Sequence, residues 1–337
     1  MIIIWSAART IAVTLASRTE PAPVVPRFDY RRAVDRAAGP VAEFTGMRLP
    51  EERRSVRVVG RAEWIDLNLH VFARVLEPVL RRAERESGGL TRAAGSMTIT
   101  AQVGVLLGFL SSRVLGQYDA GPLVVPREGP GDILFLDGNI RATARRLGVP
   151  LDALRLWIVL HEMTHAFQFE AHPWLREHLG EMLQELLAPL AERVGAREFL
   201  RRLVENGRRG GRALELVMSR GQRESFERLQ AAMALVEGYS DYVMHGVGSA
   251  LVPRYGEIQR KIRLSRMRRP PLESAIFRLT GLDLKLEQYR LGEEFVEAVA
   301  RRQGMEGVNR VWERPANLPT LREIHDPALW MLRMEEA

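Results

Sequence analysis

The stretch Trp157-Ile-Val-Leu-His161-Glu162-Met-Thr-His165-Ala-Phe167 holds two histidines four residues apart, with a glutamate directly after the first. Its flanks are apolar in a helical pattern. Four residues of α-helix turn about 400° and rise roughly 6 Å, so both imidazoles leave the same face. Two nitrogens so placed can close on one zinc ion with bonds of about 2.0–2.1 Å. Glu162 projects to the side, where it can reach a metal-bound water rather than the metal. The chain has no cysteine. That excludes disulfides, a thiolate nucleophile, Cys-bound zinc and Cys-held iron–sulfur clusters. Any metal must sit among His, Asp and Glu.

A catalytic zinc takes three protein ligands and leaves a position for water. His172 is near in sequence but seven residues beyond His165. If the helix continues, that is ~10 Å along the axis, too far to share an ion. Ala166-Phe-Gln-Phe-Glu-Ala171 contains no Gly and no Pro and favours continuing the helix. The metzincin spacing H-E-x-x-H-x-x-G-x-x-H fails twice. Gln168 stands in place of the Gly, and His172 comes one residue late. Downstream, Leu235-Val-Glu237-Gly-Tyr-Ser-Asp241-Tyr-Val243 is E-x-x-x-D among apolar neighbours. This fits the gluzincin arrangement. Glu237 is then the third ligand, and Asp241, one turn later, accepts a hydrogen bond from a ligand imidazole.

The chain resembles the zincin-like metallopeptidases of actinobacteria and their relatives, a group of hydrolases associated with deazaflavin coenzyme biosynthesis. The resemblance is carried by LHEMTHAFQFEAHPWLREHL at 160–179 and ALVEGYSDYVM at 234–244. It extends to GLDLKLEQYRLGEEFVEAV at 281–299 and NRVWERPANLPTLREIHDPALW at 309–330. It covers most of the chain and is weaker before residue 60. It implies a Zn2+ site with His161, His165 and Glu237 as ligands, Glu162 as catalytic base, and a peptide or protein substrate. The rival from another class is a non-catalytic metal-binding or interaction protein on the same scaffold.

A donor to the developing oxyanion is also expected. The candidates are Tyr239, Tyr242, Tyr289, Arg290 and His245, with Tyr289 preferred because its block recurs in the resembling family. His245 is expected in a packing role, His172 in a structural one, and His178 at the surface. His70 and His325 lie far from the motif and are assigned nothing.

The elements that must position these residues are mostly helical. With 337 residues, 46% of them hydrophobic, the chain can bury a substantial core. Pro21, Pro23 and Pro26 separate a first amphipathic helix, with Ile4, Ala8, Ile11 and Leu15 on one face, from a second at 30–44. Further helices are expected at 61–86, 98–115, 139–147, 151–171, 174–191, 195–206, 221–248, 254–264, 272–280 and 290–303. Gly116–Pro122 reads as turn. The strand signals are Leu123-Val-Val125 and Ile133-Leu-Phe-Leu136, the latter placed at the edge of the cleft where an extended peptide could pair. The fold class is therefore mainly α with one small β-sheet, a zincin-like metalloprotease core with helical additions. Residues 1–115 form an N-terminal helical region and 116–337 the catalytic region, with a helical insertion at 174–220, all in one compact unit. The insertion reads equally as a lid or as packing.

The formal charge is +7, from 49 Lys and Arg against 42 Asp and Glu, and only Lys261 and Lys285 are lysines. A diffuse excess raises affinity for polyanions without making a specific nucleic-acid binder. The basic run at 260–269 lacks neighbouring aromatics for base stacking and reads as a solvated helix end. No run approaches the ~20 apolar residues of a membrane span, and the N-terminus lacks a leading positive charge, so a cytoplasmic protein with no membrane partner is expected. Oligomeric state is not encoded in these features.

Overall fold

A computed structural model describes residues 3–20, 26–52, 54–84, 89–119, 130–192, 220–267 and 285–336. The protein is mainly helical with one small sheet. In chain order the elements are α1 (Trp5–Ser17), α2 (Tyr30–Thr45), β1 (Val56–Val58), α3 (Arg61–Glu84), α4 (Gly89–Ser111), β2 (Gly116–Asp119), β3 (Asp132–Phe135), α5 (Asp137–Leu147) and α6 (Leu151–Ala171). Then come α7 (Pro173–Glu192), α8 (Arg220–Leu251), α9 (Tyr255–Met267) and α10 (Lys285–Asn309). Two short 3₁₀ turns, Arg310–Trp312 and Pro315–Asn317, lead to α11 (Leu321–His325) and α12 (Pro327–Glu336).

The sheet has the order β1-β3-β2, with β1 parallel and β2 antiparallel to the central β3. Alternation along β3 divides the core. Ile133 and Phe135 face the larger cluster with α2, α6, α8 and α10, whereas Leu134 and Leu136 face α1, α3 and α4. This placement changes two expectations. Residues 116–119, read as turn, form a half-buried strand at one edge of the described sheet. Residues 133–135 are paired on both sides, so they cannot be the cleft edge. Gly116-Gln-Tyr-Asp119 has turn chemistry, but pairing with a hydrophobic central strand overrides weak local preference. The strand expected at 123–125, the helices at 195–206 and 272–280, and much of the insertion lie outside the described residues.

The first helix also turns a different face inward. Ala8, Ala12 and Ala16 are buried, and Ile4 precedes the helix with 48% of its surface exposed. The cause is α4, whose Gly104 and Gly108 bring the two backbones together. A Cβ on either glycine would stand 2.7 Å and 2.8 Å from the Ala8 and Ala12 carbonyl oxygens. Small residues on both helices make the contact, so the larger Ile11 and Leu15 are pushed to its flanks.

A closer contact joins α8 and α10. A Cβ at Gly292 would lie 1.9 Å from the Ala234 carbonyl oxygen, and one at Gly238 would lie 2.1 Å from the Gly292 carbonyl carbon. Only hydrogen fits at both positions. Gly238 directly follows Glu237, so this backbone contact sets the height of Glu237 over α6. Among the described residues, no helix is long and apolar enough to cross a membrane.

Candidate metal centre

Helix α6 spans the expected residues 151–171. It is buried along nearly its whole length, with Trp157, Ile158, Val159, Leu160, Met163, Ala166 and Phe167 all inside. Packing from several sides fixes its rotation, and with it the direction of the two imidazoles. His161 Nε2 and His165 Nε2 are 3.3 Å apart. Helix α8 crosses over them and places Glu237 Oε2 at 4.0 Å from the first and 3.9 Å from the second. The structure thus brings the three expected ligands together, all within 4.8 Å of one another. Their side chains are only 15%, 12% and 21% exposed.

The tautomers follow from the hydrogen bonds at the other ring nitrogens. His165 Nδ1 is 2.8 Å from Gln168 Oε1, while Gln168 Nε2 donates to the Val236 carbonyl at 2.7 Å. The amide is thereby oriented by α8, and its oxygen accepts from Nδ1–H of His165. For His161 the chain is longer. The Thr164 hydroxyl donates to the carbonyls of Leu160 and His161, and the Ser240 hydroxyl donates to Thr164 Oγ1 at 3.1 Å. Ser240 Oγ, 3.3 Å from His161 Nδ1, then has a lone pair left with which to accept. Both rings therefore carry the proton on Nδ1 and turn bare Nε2 lone pairs toward each other and toward a carboxylate. Three acceptors facing one small space repel one another unless a cation lies between them. A tetrahedral zinc separates its ligand atoms by about 3.4 Å. The imidazole pair already has this spacing, and Glu237 needs only a few tenths of an ångström of closure.

Gln168 and Ser240 were missed as functional residues. Gln168 was noted only for breaking the metzincin pattern, yet its i, i+3 spacing from His165 puts it on the same face. Asp241 follows Ser240 in α8, and its charge bears on His245 and Tyr255. We predict that Gln168→Ala weakens zinc binding by roughly 10–100-fold, as for other partners that orient metal-bound histidines. Competition against a chromogenic chelator measures this. Unchanged affinity would remove Gln168 from the centre.

Glu162 is 5% exposed. Its Oε2 accepts a hydrogen bond from the Tyr118 backbone N–H of β2 at 2.7 Å. Burial pushes its carboxyl up to about 7. Nearby Glu237 pushes the same way, while His165 and the Tyr118 N–H pull against it. The other oxygen, Oε1, lies under Gly116, where a Cβ would come within 2.7 Å of it. A cleft of about 270 Å³ opens beside His161 and Glu162.

The remaining candidates sit elsewhere. The helix stops at Ala171, and His172 turns away to stack on Trp312 at 6.0 Å, with its proton affinity lowered by burial. His245 Nδ1 donates to Glu293 Oε1 at 2.7 Å, and this bond raises its proton affinity. Tyr239 is fully buried and donates to Asn309 Oδ1. Arg290 pairs with Glu294. His178 lies 3.6 Å from Glu181 near the surface. Tyr242 packs near Phe44, and the side chain of Tyr289 lies outside the described residues.

Comparison with known proteins bears on the family and the fold. The profile of a family described as zincin-like metallopeptidase matches residues 3–331. The chain is similar, with 36% sequence identity and a TM-score of 0.76, to a crystal structure of a candidate hydrolase with a novel fold from Chloroflexus aurantiacus, and the match covers 100% of both chains. No curated protein matches the sequence. Neither match mentions actinobacteria or a deazaflavin coenzyme.

Proposed function

This chain belongs to the zincin-like metallopeptidases, and from that premise we propose that it is a zinc-dependent peptidase. The observation that carries the reading is the pair of Nε2 lone pairs held face to face, 3.3 Å apart, beside Glu237. His161, His165 and Glu237 would hold the ion. When bound, zinc supplies a Lewis acid that polarises the scissile carbonyl and lowers the pKa of its water to about 7.

The rest of the work belongs to the chain. Glu162 takes the proton of the attacking water and returns it to the leaving amine. Its Oε2 is tied to Tyr118, so Oε1 is the atom that moves the proton. Burial suits this task, because a carboxyl with pKa about 7 can both accept and release a proton near neutrality. Gln168 and Ser240 keep the imidazoles in the ligating tautomer. Among the described residues β2 stands at an edge of the sheet beside Glu162, and we place an extended peptide substrate along it.

No specific nucleic-acid partner enters this reading. Within the basic run, Lys261 is held by the Gly148 carbonyl and Glu257, and Arg263 by Glu293. A cytoplasmic setting remains part of the proposal, resting on the cysteine-free sequence. The test is metal analysis of purified protein together with cleavage of an unbiased peptide library. One tightly held zinc and chelator-sensitive cleavage are expected. Bound zinc with no cleavage of any peptide would leave a non-catalytic metal protein instead.

A further inference from the structure

Glu162 is held by a backbone N–H, so its aim depends on where β2 lies. Strand β2 is four residues long and, among the described residues, pairs with β3 on one side only. The Leu136 N–H donates to the Leu115 carbonyl, so the N–H groups of residues 117 and 119 turn toward β3 and those of 116 and 118 turn away. The Tyr118 N–H therefore adds nothing to the sheet and serves Glu162 Oε2 at 2.7 Å. One short ladder does little to fix how far an edge strand stands from the helix beside it.

The side chain of the same residue supplies that constraint. The Tyr118 hydroxyl donates to Glu170 Oε1 and accepts from the Gly131 N–H, both at 3.2 Å. Its ring stacks on Phe169, with centroids 6.0 Å apart, and a Cβ on Gly131 would overlap it. Glu170 lies on α6, eight residues after Glu162, or about 12 Å further along the axis. Tyr118 thus meets α6 at two points, through its backbone at Glu162 and through its hydroxyl at Glu170. Glu170 is itself gripped by Arg54, whose Nε donates to Oε1 at 2.8 Å and whose Nη2 donates to Oε2. The two side chains are only 12% and 4% exposed. Arg54 stands just before β1, at the opposite edge of the described sheet. A buried ion pair gives little net stability, because desolvation offsets the attraction; what the two-point grip does supply is a fixed carboxylate.

We propose that Tyr118 is a positioning residue for Glu162, with Arg54 and Glu170 as the clamp that sets its height over α6 and so aims Oε1 at the attacking water. This goes beyond the peptidase reading and rests on it. Gly116 limits the other oxygen, since a Cβ there would stand 2.7 Å from Oε1. The carboxylate is held between two residues of one strand, and the clamp holds the strand. A misplacement of about 1 Å at a reacting group can cost roughly 10²-fold in rate.

The first readout needs neither metal nor turnover. Amide hydrogen exchange is followed by NMR in the full-length protein. Glu162→Ala removes the acceptor and sets the rate of an unbonded amide at residue 118. Tyr118→Phe keeps the ring and loses only the hydroxyl. Exchange at residue 118 should then rise about tenfold toward that rate, while the Gln117 amide, which faces β3, stays within about twofold of the parent. Arg54→Lys keeps the charge without the two-point grip and should shift residue 118 the same way by less. The second readout is kinetic. Zinc-loaded Tyr118→Phe should lose about tenfold or more in kcat on a cleaved library peptide, with KM and zinc affinity within about twofold of the parent. Unchanged exchange at residue 118 would overturn the proposal. So would an equal rise at 117 and 118, which marks plain loosening of the sheet, a parent-like kcat, or a loss carried by KM or zinc affinity. If the zinc-loaded parent cuts no peptide, the peptidase reading fails by itself, and the exchange result alone decides whether the clamp holds Glu162.

Discussion

Replacing Glu162 by Gln is expected to abolish hydrolysis while leaving zinc binding and helical content as they were. Gln has the same shape, and its side-chain oxygen can still accept from the Tyr118 N–H. What it cannot do is take up the proton of the attacking water. A positioned base typically contributes 10²–10⁴-fold, so a loss in this range or larger is the expected result. The fold should tolerate the change, because burial already disfavours the charged carboxylate at this position. The measurement is turnover of a cleaved library peptide by zinc-loaded protein, alongside metal content and circular dichroism. Hydrolysis near the parent rate, with zinc bound, would remove Glu162 from the mechanism. Loss of zinc from the variant would instead make Glu162 part of the metal's support.

The second large effect concerns the metal itself. Glu237→Ala should lose more zinc affinity than the roughly 10–100-fold expected for partners that only orient the ligands. Removing this carboxylate leaves two neutral imidazoles and deletes the negative charge facing them. His172→Ala is the paired control. His172 stacks on Trp312, and its buried Nε2 has no hydrogen-bond partner among the described residues, so its loss should cost packing and not metal. Zinc titration against a competing chelator separates the two variants. Parent-like affinity in Glu237→Ala, or metal loss in His172→Ala, would contradict the gluzincin arrangement of the site.

Both expectations began in the sequence because they depend on spacing within single helices. The 3.6-residue repeat puts His161 and His165 on one face wherever α6 lies, and an apolar helix without Gly or Pro gives its limits of 151 and 171 closely. The end at Ala171 is the instructive detail. The residues before it favour helix, yet the chain turns at His172 because Pro173 cannot continue the hydrogen-bond ladder. Glu237 was legible for the same local reason, an acidic residue at a patterned position in an apolar stretch of its helix.

Contacts between elements were not legible in this way. Gln168 looked like a departure from a motif. Its role exists because the Val236 carbonyl of α8 lies 2.7 Å from its amide nitrogen. Ser240 gained its role from Thr164, across the same crossing. Gly116 and Tyr118 read as turn, and only pairing with β3 made them the strand that roofs Glu162. The buried face of α1 was likewise decided by two glycines about a hundred residues away. The sequence by itself determined a mainly helical protein and the ligand pair, since local periodicity acts over a few residues. Tertiary structure alone decided which tautomer each histidine holds and how far Glu162 clings to its proton. Those properties depend on burial and on hydrogen bonds between segments up to 79 residues apart, as between Ser240 and His161, and no local pattern encodes them.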